Sequence, residues 1–203
     1  MTREINLPYL LYAPSERKIA GSPLLLFLHG AGEKGDDVQQ VRSAVLPRLL
    51  GQGLELPLTV VCPQCPGELP GWPMDDLHVF LEALLEKYSL DRRRLYLTGI
   101  SMGGRGTWEF AYAHADRLAA IVPICGPSLP TLAPRLASLP AWIFHGAEDD
   151  VVPVARSEEM FSALQAVEAP CLYSRLEGQG HSCGEAVYTS AELMEWLFQQ
   201  IRK

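Results

Sequence analysis

The chain lacks several features that would place a protein in a broad functional class. No apolar run in its 203 residues approaches 18 residues, so the sequence predicts no membrane-spanning helix. No apolar segment follows Met1, which argues against a secretory signal peptide. The net charge is −7 and the longest basic run covers only residues 92–94, which argues against nucleic-acid binding. We therefore expect a cytoplasmic protein without a nucleic-acid partner.

Cysteine is scarce and odd in number, which indicates reduced thiols rather than a disulfide framework. Cys62 and Cys65 have the C-x-x-C spacing, but a structural zinc site would require a second such pair. A thioredoxin-like motif would open a helix, whereas Pro66 and Gly67 follow here. We therefore predict neither a metal nor a cofactor, and we interpret this motif as the end of a strand and a loop. The five cysteines are Cys62, Cys65, Cys125, Cys171 and Cys183.

The order of short apolar segments indicates one α/β domain over residues 1–203. Short apolar strands alternate with helices, which predicts a mostly parallel twisted sheet with helices on both faces and no cap domain. The first two strands are expected to form an antiparallel edge. The strands are predicted at residues 7–12, 24–28, 58–62, 95–98, 119–125, 141–145 and 171–176. The helices are predicted at residues 37–50 (kinked or shortened by Pro47), 74–88, 103–114, 153–167 and 185–202. Oligomeric state has no signal in the sequence.

The most informative motif is Gly99-Ile-Ser-Met-Gly103, which lies between a predicted strand and a predicted helix. This is the G-x-S-x-G nucleophile elbow, a sharp turn that exposes a serine hydroxyl above the end of a sheet. Glycines two residues before and after the serine are needed because the strand and the helix pass very close there. The motif predicts that Ser101 is a nucleophile for acyl chemistry.

A serine hydroxyl needs a general base, and His181 is the best candidate for it. The residue follows a predicted strand on a loop that contains Gly178 and Gly180, and this loop could carry the imidazole over Ser101. His78 and His114 fall within predicted helices. The other two histidines, His29 and His145, stand at strand ends before glycine and are interpreted as shaping their turns.

The acid that orients the base is expected in the loop after the strand at residues 141–145. Glu148, Asp149 and Asp150 are adjacent there, and only one of them can point inward from the turn. The register H-G-x-x-D-x-V-V-P favours Asp149, which leaves the other two facing solvent. The resulting chain order is serine, acid, histidine, as in α/β-hydrolases.

Two backbone N–H groups are expected to stabilise the oxyanion of an acyl-transfer intermediate. One belongs to Met102, the residue after the nucleophile. The other belongs to the small-residue loop after the second strand, where Ala31 is the first choice and Gly30 and Gly32 are neighbours that contact substrate. Trp72 is a candidate wall of the substrate pocket, with a helix-start anchor as the alternative.

With these motifs in place, the chain resembles the α/β-hydrolase superfamily. Within it, the chain is similar to small phospholipase/carboxylesterase and "predicted peptidase" proteins, close to polyhydroxybutyrate depolymerase-like and feruloyl-esterase-like enzymes. The resemblance implies hydrolysis of small-molecule carboxylic esters through an acyl-enzyme, without a metal or cofactor. It rests on residues 28–37, 97–104, 142–153 and 178–181.

The sequence departs from this group at two places. Ser182 and Cys183 follow the candidate base, where the group often has an aromatic or acidic residue. The segment from Gly126 to Pro140 is too short for a helical lid, so we expect small or flexible esters to be preferred over long buried acyl chains.

Two rival functions remain open beside the serine carboxylesterase. A serine peptidase or amidase on the same fold is the main alternative, although the sequence shows no β-propeller or other gating domain. A non-catalytic binding protein on a hydrolase scaffold is the second. Dienelactone-type chemistry normally uses a cysteine nucleophile on this fold, and Ser101 disfavours it.

Overall fold

A seven-stranded sheet forms the centre of the structure, a computed structural model that describes residues 7–14 and 18–203. Six of the strands are parallel, and the first is antiparallel to its neighbour. The strands are β1 (Tyr9–Tyr12), β2 (Leu24–Leu28), β3 (Thr59–Pro63), β4 (Leu95–Ile100), β5 (Ala120–Ile124), β6 (Ala141–Gly146) and β7 (Cys171–Leu176). Their order across the sheet is β1-β3-β2-β4-β5-β6-β7.

Helices cover both faces of the sheet, as the sequence predicts. Their bounds are α1 (Val45–Gly51), α2 (Met74–Tyr88), α3 (Met102–His114), α4 (Ala155–Ala166), α5 (Gly184–Tyr188) and α6 (Ala191–Gln199). Side chains of β2 alternate between the two cores: Leu24 and Leu26 pack toward α2, α3 and α4, whereas Leu25 and Phe27 pack toward α1, α5 and α6. This alternation follows from the two-residue period of a strand buried on both sides.

The antiparallel edge is present, but the predicted partner of β1 was wrong. β1 pairs with β3, in the register Tyr9↔Pro63 and Tyr12↔Val60, while β2 lies between β3 and β4. All five residues of β2 are buried, so this strand needs a neighbour on each side. β1 is only partly buried, which suits the edge of the sheet.

Two predicted helices are each divided in the structure. The segment predicted at residues 37–50 forms a 3-10 helix (Val38–Ser43) and then α1, because the ring of Pro47 would clash with the carbonyl of Ser43 in one continuous helix. The helix predicted at residues 185–202 divides into α5 and α6. The Thr189 N–H still donates to Glu185 O at 3.1 Å, and the backbone of the next residue, Ser190, is extended (φ −74°, ψ 122°), which ends the first segment before α6 begins.

The other predicted elements differ from the structure by a few residues at their ends. α2 has the predicted bounds, and its buried stripe consists of Leu77, Phe80, Leu81, Leu84 and Leu85. The proline-rich loop contains a 3-10 helix (Pro130–Leu136). In the described part of the chain, no helix has both the length and the apolar character needed to cross a bilayer.

Candidate active site

Ser101 occupies a strained turn between β4 and α3. Its backbone angles are φ 57° and ψ −118°, a combination that L-residues with side chains rarely adopt. The turn is held because the Ser101 N–H donates to Ile124 O at 2.9 Å and Ser101 O accepts from the Arg105 N–H at 2.9 Å. The strained serine observed here is the geometry that the elbow motif predicts.

The two glycines of the motif allow α3 to pass directly over the strand ends. A Cβ atom on Gly103 would overlap the carbonyl of Leu28 and lie 2.7 Å from the carbonyl oxygen of His29. A Cβ atom on Gly99 would overlap the carbonyl of Gly103. No side chain fits at either position, so the close contact of β2, β4 and α3 depends on glycine.

Ser101 and His181 border the same open cleft, which has a volume of about 440 Å³. The candidate substrate loop at Gly30, Ala31 and Gly32 forms another part of its wall. These residues follow β4, β7 and β2 respectively, so three loops meet where parallel strands end at one edge of the sheet.

His181 and Asp149 are in direct contact. The Nδ1 atom of His181 lies 2.8 Å from Oδ2 of Asp149, whose side chain is fully buried. Oδ1 of Asp149 accepts from the N–H groups of Val151 at 2.9 Å and Val152 at 2.8 Å. Glu148 and Asp150 are exposed on the same turn. Of the three adjacent acids, Asp149 is therefore the one that points inward to the histidine.

The environment of Asp149 keeps its carboxyl ionised. Burial by itself raises the pKa, but hydrogen bonds from His181 and from the N–H groups of Val152 and Val151 outweigh it and lower the pKa to about 2. An ionised carboxylate can only accept hydrogen bonds, so Nδ1 of His181 must carry the proton that they share. The other ring nitrogen, Nε2, is then left as the basic atom.

His145 also contacts the buried acid, which the sequence did not predict. Its Nε2 lies 2.9 Å from Val152 O and 3.1 Å from Oδ2 of Asp149, and its Nδ1 lies 2.7 Å from the hydroxyl of Ser157. Because Val152 O can only accept, Nε2 carries the proton and Nδ1 accepts from Ser157. His145 shapes its turn as predicted. The four-residue spacing from Asp149 is the only sequence signal for this additional contact.

His29 fastens the start of the candidate oxyanion loop. The Cys65 N–H donates to its Nε2 at 3.0 Å, so Nδ1 carries the proton and donates to Gly30 O at 2.7 Å. Burial lowers the pKa of His29 to about 4, only partly offset by the hydrogen bond to Gly30. The imidazole is thus neutral near pH 7 and links this loop to the loop after β3.

Trp72 stands two residues before α2, and its role as a wall of the substrate pocket stays a prediction. Its ring packs on His29 with centroids 4.8 Å apart, and its Nε1 donates to His29 O at 3.3 Å. It also lines a second pocket of about 300 Å³, together with Met102 and Arg105. This pocket and the cleft at Ser101 share no lining residue.

Met102 and Ala31, the predicted oxyanion donors, belong to different segments beside Ser101. Met102 is the first residue of α3, where N–H groups are free of helical partners and the helix dipole is positive. Ala31 opens a 3-10 helix (Ala31–Glu33) on the wall of the cleft. Both can therefore present backbone N–H groups near Ser101.

Two charged residues of the cleft had no signal in the sequence. Glu33 borders it, and burial raises the pKa of this carboxyl. Arg48 reaches it from α1 and pairs with Glu185 of α5 at 2.7 Å. Arg48 and Glu185 are 137 residues apart in the chain, so no local spacing indicates their pairing.

The described residues contain one group with the ligand types of a metal site: Cys125, His145 and Asp149, whose ligand atoms lie within 4.8 Å of one another. Both ring nitrogens of His145 are already engaged, with Nε2 as a donor, so the ring offers no lone pair to a cation. The arrangement does not fit a metal. All five cysteines are free thiols, and Cys62 and Cys65 are buried.

Comparison with known proteins decides the family. The model of the dienelactone hydrolase family matches residues 73–188, which is more than half of the chain. The chain belongs to the dienelactone hydrolase family. The resemblance to α/β-hydrolases that the motifs indicated is thereby confirmed. The prediction that Ser101 disfavours dienelactone-type chemistry itself stays a prediction.

Esterases are similar to this dienelactone hydrolase family member in sequence, and a peptidase shares its fold. The bifunctional acetylxylan esterase/xylanase of Neocallimastix patriciarum is 28% identical over 148 residues, which are 70% of this chain and 21% of that protein. The structure of a thermostable esterase is 32% identical with a TM-score of 0.81, covering 97% of this chain and 60% of the other. The acylaminoacyl peptidase of Pyrococcus horikoshii is 17% identical with a TM-score of 0.70, covering 97% of this chain and 40% of the other, a likeness of fold alone. The chain thus spans about a fifth of its curated relative.

The low pKa of His29 predicts a loss of stability in mild acid. Unfolded chains bind a proton at this histidine below about pH 6.5, whereas the folded protein does so only near pH 4. The free energy of unfolding should therefore fall by about 3 kcal/mol from this group as the pH drops through that window. Urea denaturation of the wild type and His29→Asn at several pH values would measure it.

Between the same pH values, the free energy of unfolding of His29→Asn should fall less than that of the wild type, and the difference should equal the contribution of His29. The variant is nevertheless expected to be less stable at pH 7. An identical pH dependence in both proteins would show that His29 is not the group responsible.

Proposed function

We propose that this chain is a carboxylic ester hydrolase that works through an acyl-enzyme on Ser101. The observation that carries the proposal is the contact of buried Asp149 with His181 at the cleft that Ser101 also borders. A strained serine, a histidine with a free basic nitrogen and an ionised acid are the three groups that nucleophilic acyl transfer needs.

In the first half-reaction, Oγ of Ser101 attacks the acyl carbon while Nε2 of His181 takes the hydroxyl proton. The imidazolium that forms is stabilised by Asp149, which stays ionised because its pKa is about 2. The N–H groups of Met102 and Ala31 receive the oxyanion of the tetrahedral intermediate. His181 then gives its proton to the leaving alcohol, and the acyl group remains on Ser101.

In the second half-reaction, water attacks the acyl-enzyme and the same groups act again. His181 accepts a proton from water, the oxyanion forms in the same place, and the carboxylic acid leaves as Ser101 regains its proton. No step requires a metal or an organic cofactor. The relatives described as an acetylxylan esterase and a thermostable esterase support ester hydrolysis.

A serine peptidase or amidase is the second candidate, favoured by the fold that the chain shares with acylaminoacyl peptidase. An amine is a much poorer leaving group than an alcohol, so amide cleavage depends more strongly on proton delivery by His181. Turnover of matched ester and aminopeptide substrates with the same acyl group would separate the two functions. We expect the ester to be hydrolysed far faster.

Replacing the nucleophile should abolish turnover. Ser101→Ala is expected to lower kcat by at least about 10³-fold on any ester that the wild type hydrolyses, because no acyl-enzyme can form. A fluorophosphonate probe should label the wild type and not the variant. Labelling of both proteins to the same extent would contradict the assignment of Ser101, and an unlabelled wild type would favour a binding protein.

The neighbouring acids provide a matched pair of variants. Asp149→Asn should lower kcat on the order of 10³- to 10⁴-fold, because an amide can donate to Nδ1 and then stabilise the wrong tautomer of His181. Asp150→Asn makes the same change in the neighbouring, exposed side chain and should leave kcat within about twofold, as for ordinary surface changes. Equal losses in the two variants would contradict the role of Asp149.

The open cleft predicts a preference for short acyl groups. Each methylene that leaves water on binding is worth about 0.8 kcal/mol, but a chain that extends beyond an open cleft stays in water and gains nothing. Among p-nitrophenyl esters from acetate to palmitate, kcat/KM should therefore stop rising after a few carbons. A strong preference for palmitate would overturn this prediction without affecting the assignment of Ser101.

A further inference from the structure

Two buried thiols meet beneath the candidate active site. The Sγ atoms of Cys125 and Cys183 lie 3.3 Å apart, although 58 residues separate them in the sequence. Their residues are only 0% and 1% exposed. All five thiols of the chain are in the described part of the structure, and this is the one pair whose sulfur atoms are in hydrogen-bond contact.

Both thiols belong to loops that lie beside the candidate catalytic groups. Cys125 follows β5 directly and holds a left-handed backbone (φ 47°) that its N–H bond to Phe144 O, 3.0 Å long, keeps in place. Its sulfur atom also lies near the carboxylate of Asp149, since the two ligand atoms are within 4.8 Å of each other. Cys183 is two residues after His181, just before α5. The contact between the two sulfur atoms therefore links the surroundings of Asp149 to the loop that carries His181.

The sulfur pair lies next to the cleft along the chain. His181 and Ser182 both line the cleft, and Cys183 is the next residue. A Cβ atom on Gly184 would lie 3.0 Å from a methyl group of Val45 and 3.3 Å from one of Ile100, and both of these residues line the cleft, so only a small oxidant suits this closely packed place. Of the common biological oxidants, hydrogen peroxide is close to water in size and suits such a site.

The two thiols differ in their pKa. The hydrogen bond from Cys125 lowers the pKa of the Cys183 thiol, whereas the same contact and burial raise the pKa of the Cys125 thiol. Cys183 is accordingly the sulfur that ionises first, and a thiolate is the form that reacts with peroxide.

We propose that Cys125 and Cys183 form an oxidation site, at which hydrogen peroxide closes a disulfide between β5 and the loop of His181. The Cys183 thiolate attacks one peroxide oxygen, forms a sulfenic acid and releases hydroxide, which takes up a proton to become water. The Cys125 thiol then attacks the sulfenic sulfur; the S–S bond forms and a second water leaves. In total, two thiols supply two electrons, and one peroxide becomes two waters.

The disulfide should disturb the reaction proposed above, and this consequence rests on that proposed function. A disulfide bond is about 2.0 Å long, so the sulfur atoms must move together by more than an ångström. The same movement would shift Cys125 relative to the carboxylate of Asp149. Because a misplacement of about 1 Å can cost on the order of 10²-fold in rate, we expect kcat to fall at least tenfold, with KM little changed.

The experiment compares the full-length wild type with Cys183→Ala and Cys171→Ala. Cys171 is a partly exposed thiol at the start of β7, away from these loops, and serves as the matched control. Each protein is treated with hydrogen peroxide, alkylated, digested without reduction and mapped by mass spectrometry. Ester turnover is measured before treatment, after it, and after dithiothreitol. Each variant is compared with its own untreated activity, and Cys183→Ser replaces Cys183→Ala should the latter fail to fold.

We expect a cross-linked peptide pair that contains Cys125 and Cys183, lighter by two hydrogens, in the wild type and in Cys171→Ala. Both should lose at least tenfold in kcat and regain it with dithiothreitol, whereas Cys183→Ala should lose less than twofold. Absence of the cross-link in the wild type overturns the proposal. The same holds for an equal loss of activity in Cys183→Ala, or for a cross-link with undiminished turnover.

Failure of the proposed function would look different from failure of this site. Peptide mapping requires no ester turnover, so the cross-link can be found or excluded even in a protein that hydrolyses no ester. The assignment of Ser101 is decided separately by fluorophosphonate labelling of reduced protein, which does not depend on Cys125 or Cys183.

Discussion

The contact between the first turn of α3 and the end of β2 is the constraint on which the rest of the site depends. At Gly103 the helix backbone lies so close to the carbonyls of Leu28 and His29 that no side chain fits between them. This approach forces the turn at Ser101 into a positive φ and brings the N-terminus of the helix beside the hydroxyl. A looser crossing would relax the serine and remove the N–H group of Met102 from its vicinity, since both follow from the same backbone path.

Two buried histidines stabilise the loops around this crossing. His29 ties the Gly30 loop to the loop after β3, and His145 ties the Asp149 turn to α4 through Ser157. In each ring one nitrogen donates to a carbonyl and the other accepts, so both tautomers are fixed by backbone or hydroxyl partners. The histidines of the site therefore have different roles. The two buried rings hold loops in place. The side chain of His181 is 21% exposed and keeps one ring nitrogen free at the cleft.

Much of this arrangement could be predicted from the sequence because it is encoded locally. The elbow glycines, the Asp149 register and the glycines before His181 are short patterns with direct steric or hydrogen-bonding reasons. The pairing of β1 with β3 was not predictable in this way, because it depends on β2 requiring two neighbours. The contacts of Arg48 with Glu185 and of Cys125 with Cys183 join residues far apart in the chain, and no spacing reveals them.

The division of the helix predicted at residues 37–50 shows a related limit of prediction from sequence. Its apolar periodicity is correct for both halves, and Pro47 indicated an interruption, but the break falls three residues before the proline because the clash is with the preceding turn. The helix predicted at residues 185–202 breaks at Ser190. The backbone there is extended, a change of conformation that apolar periodicity alone does not record.

The absence of any shared lining residue between the cleft at Ser101 and the pocket beside Trp72 has an evolutionary consequence. Under the proposed function the substrate is an ester, which has two halves, and an ester lying across Ser101 would place each half against its own wall. Substitutions that do not share contacts usually contribute additively to binding energy. Selectivity for the acid portion and for the alcohol portion could then diversify separately, and a descendant could exchange one without losing recognition of the other.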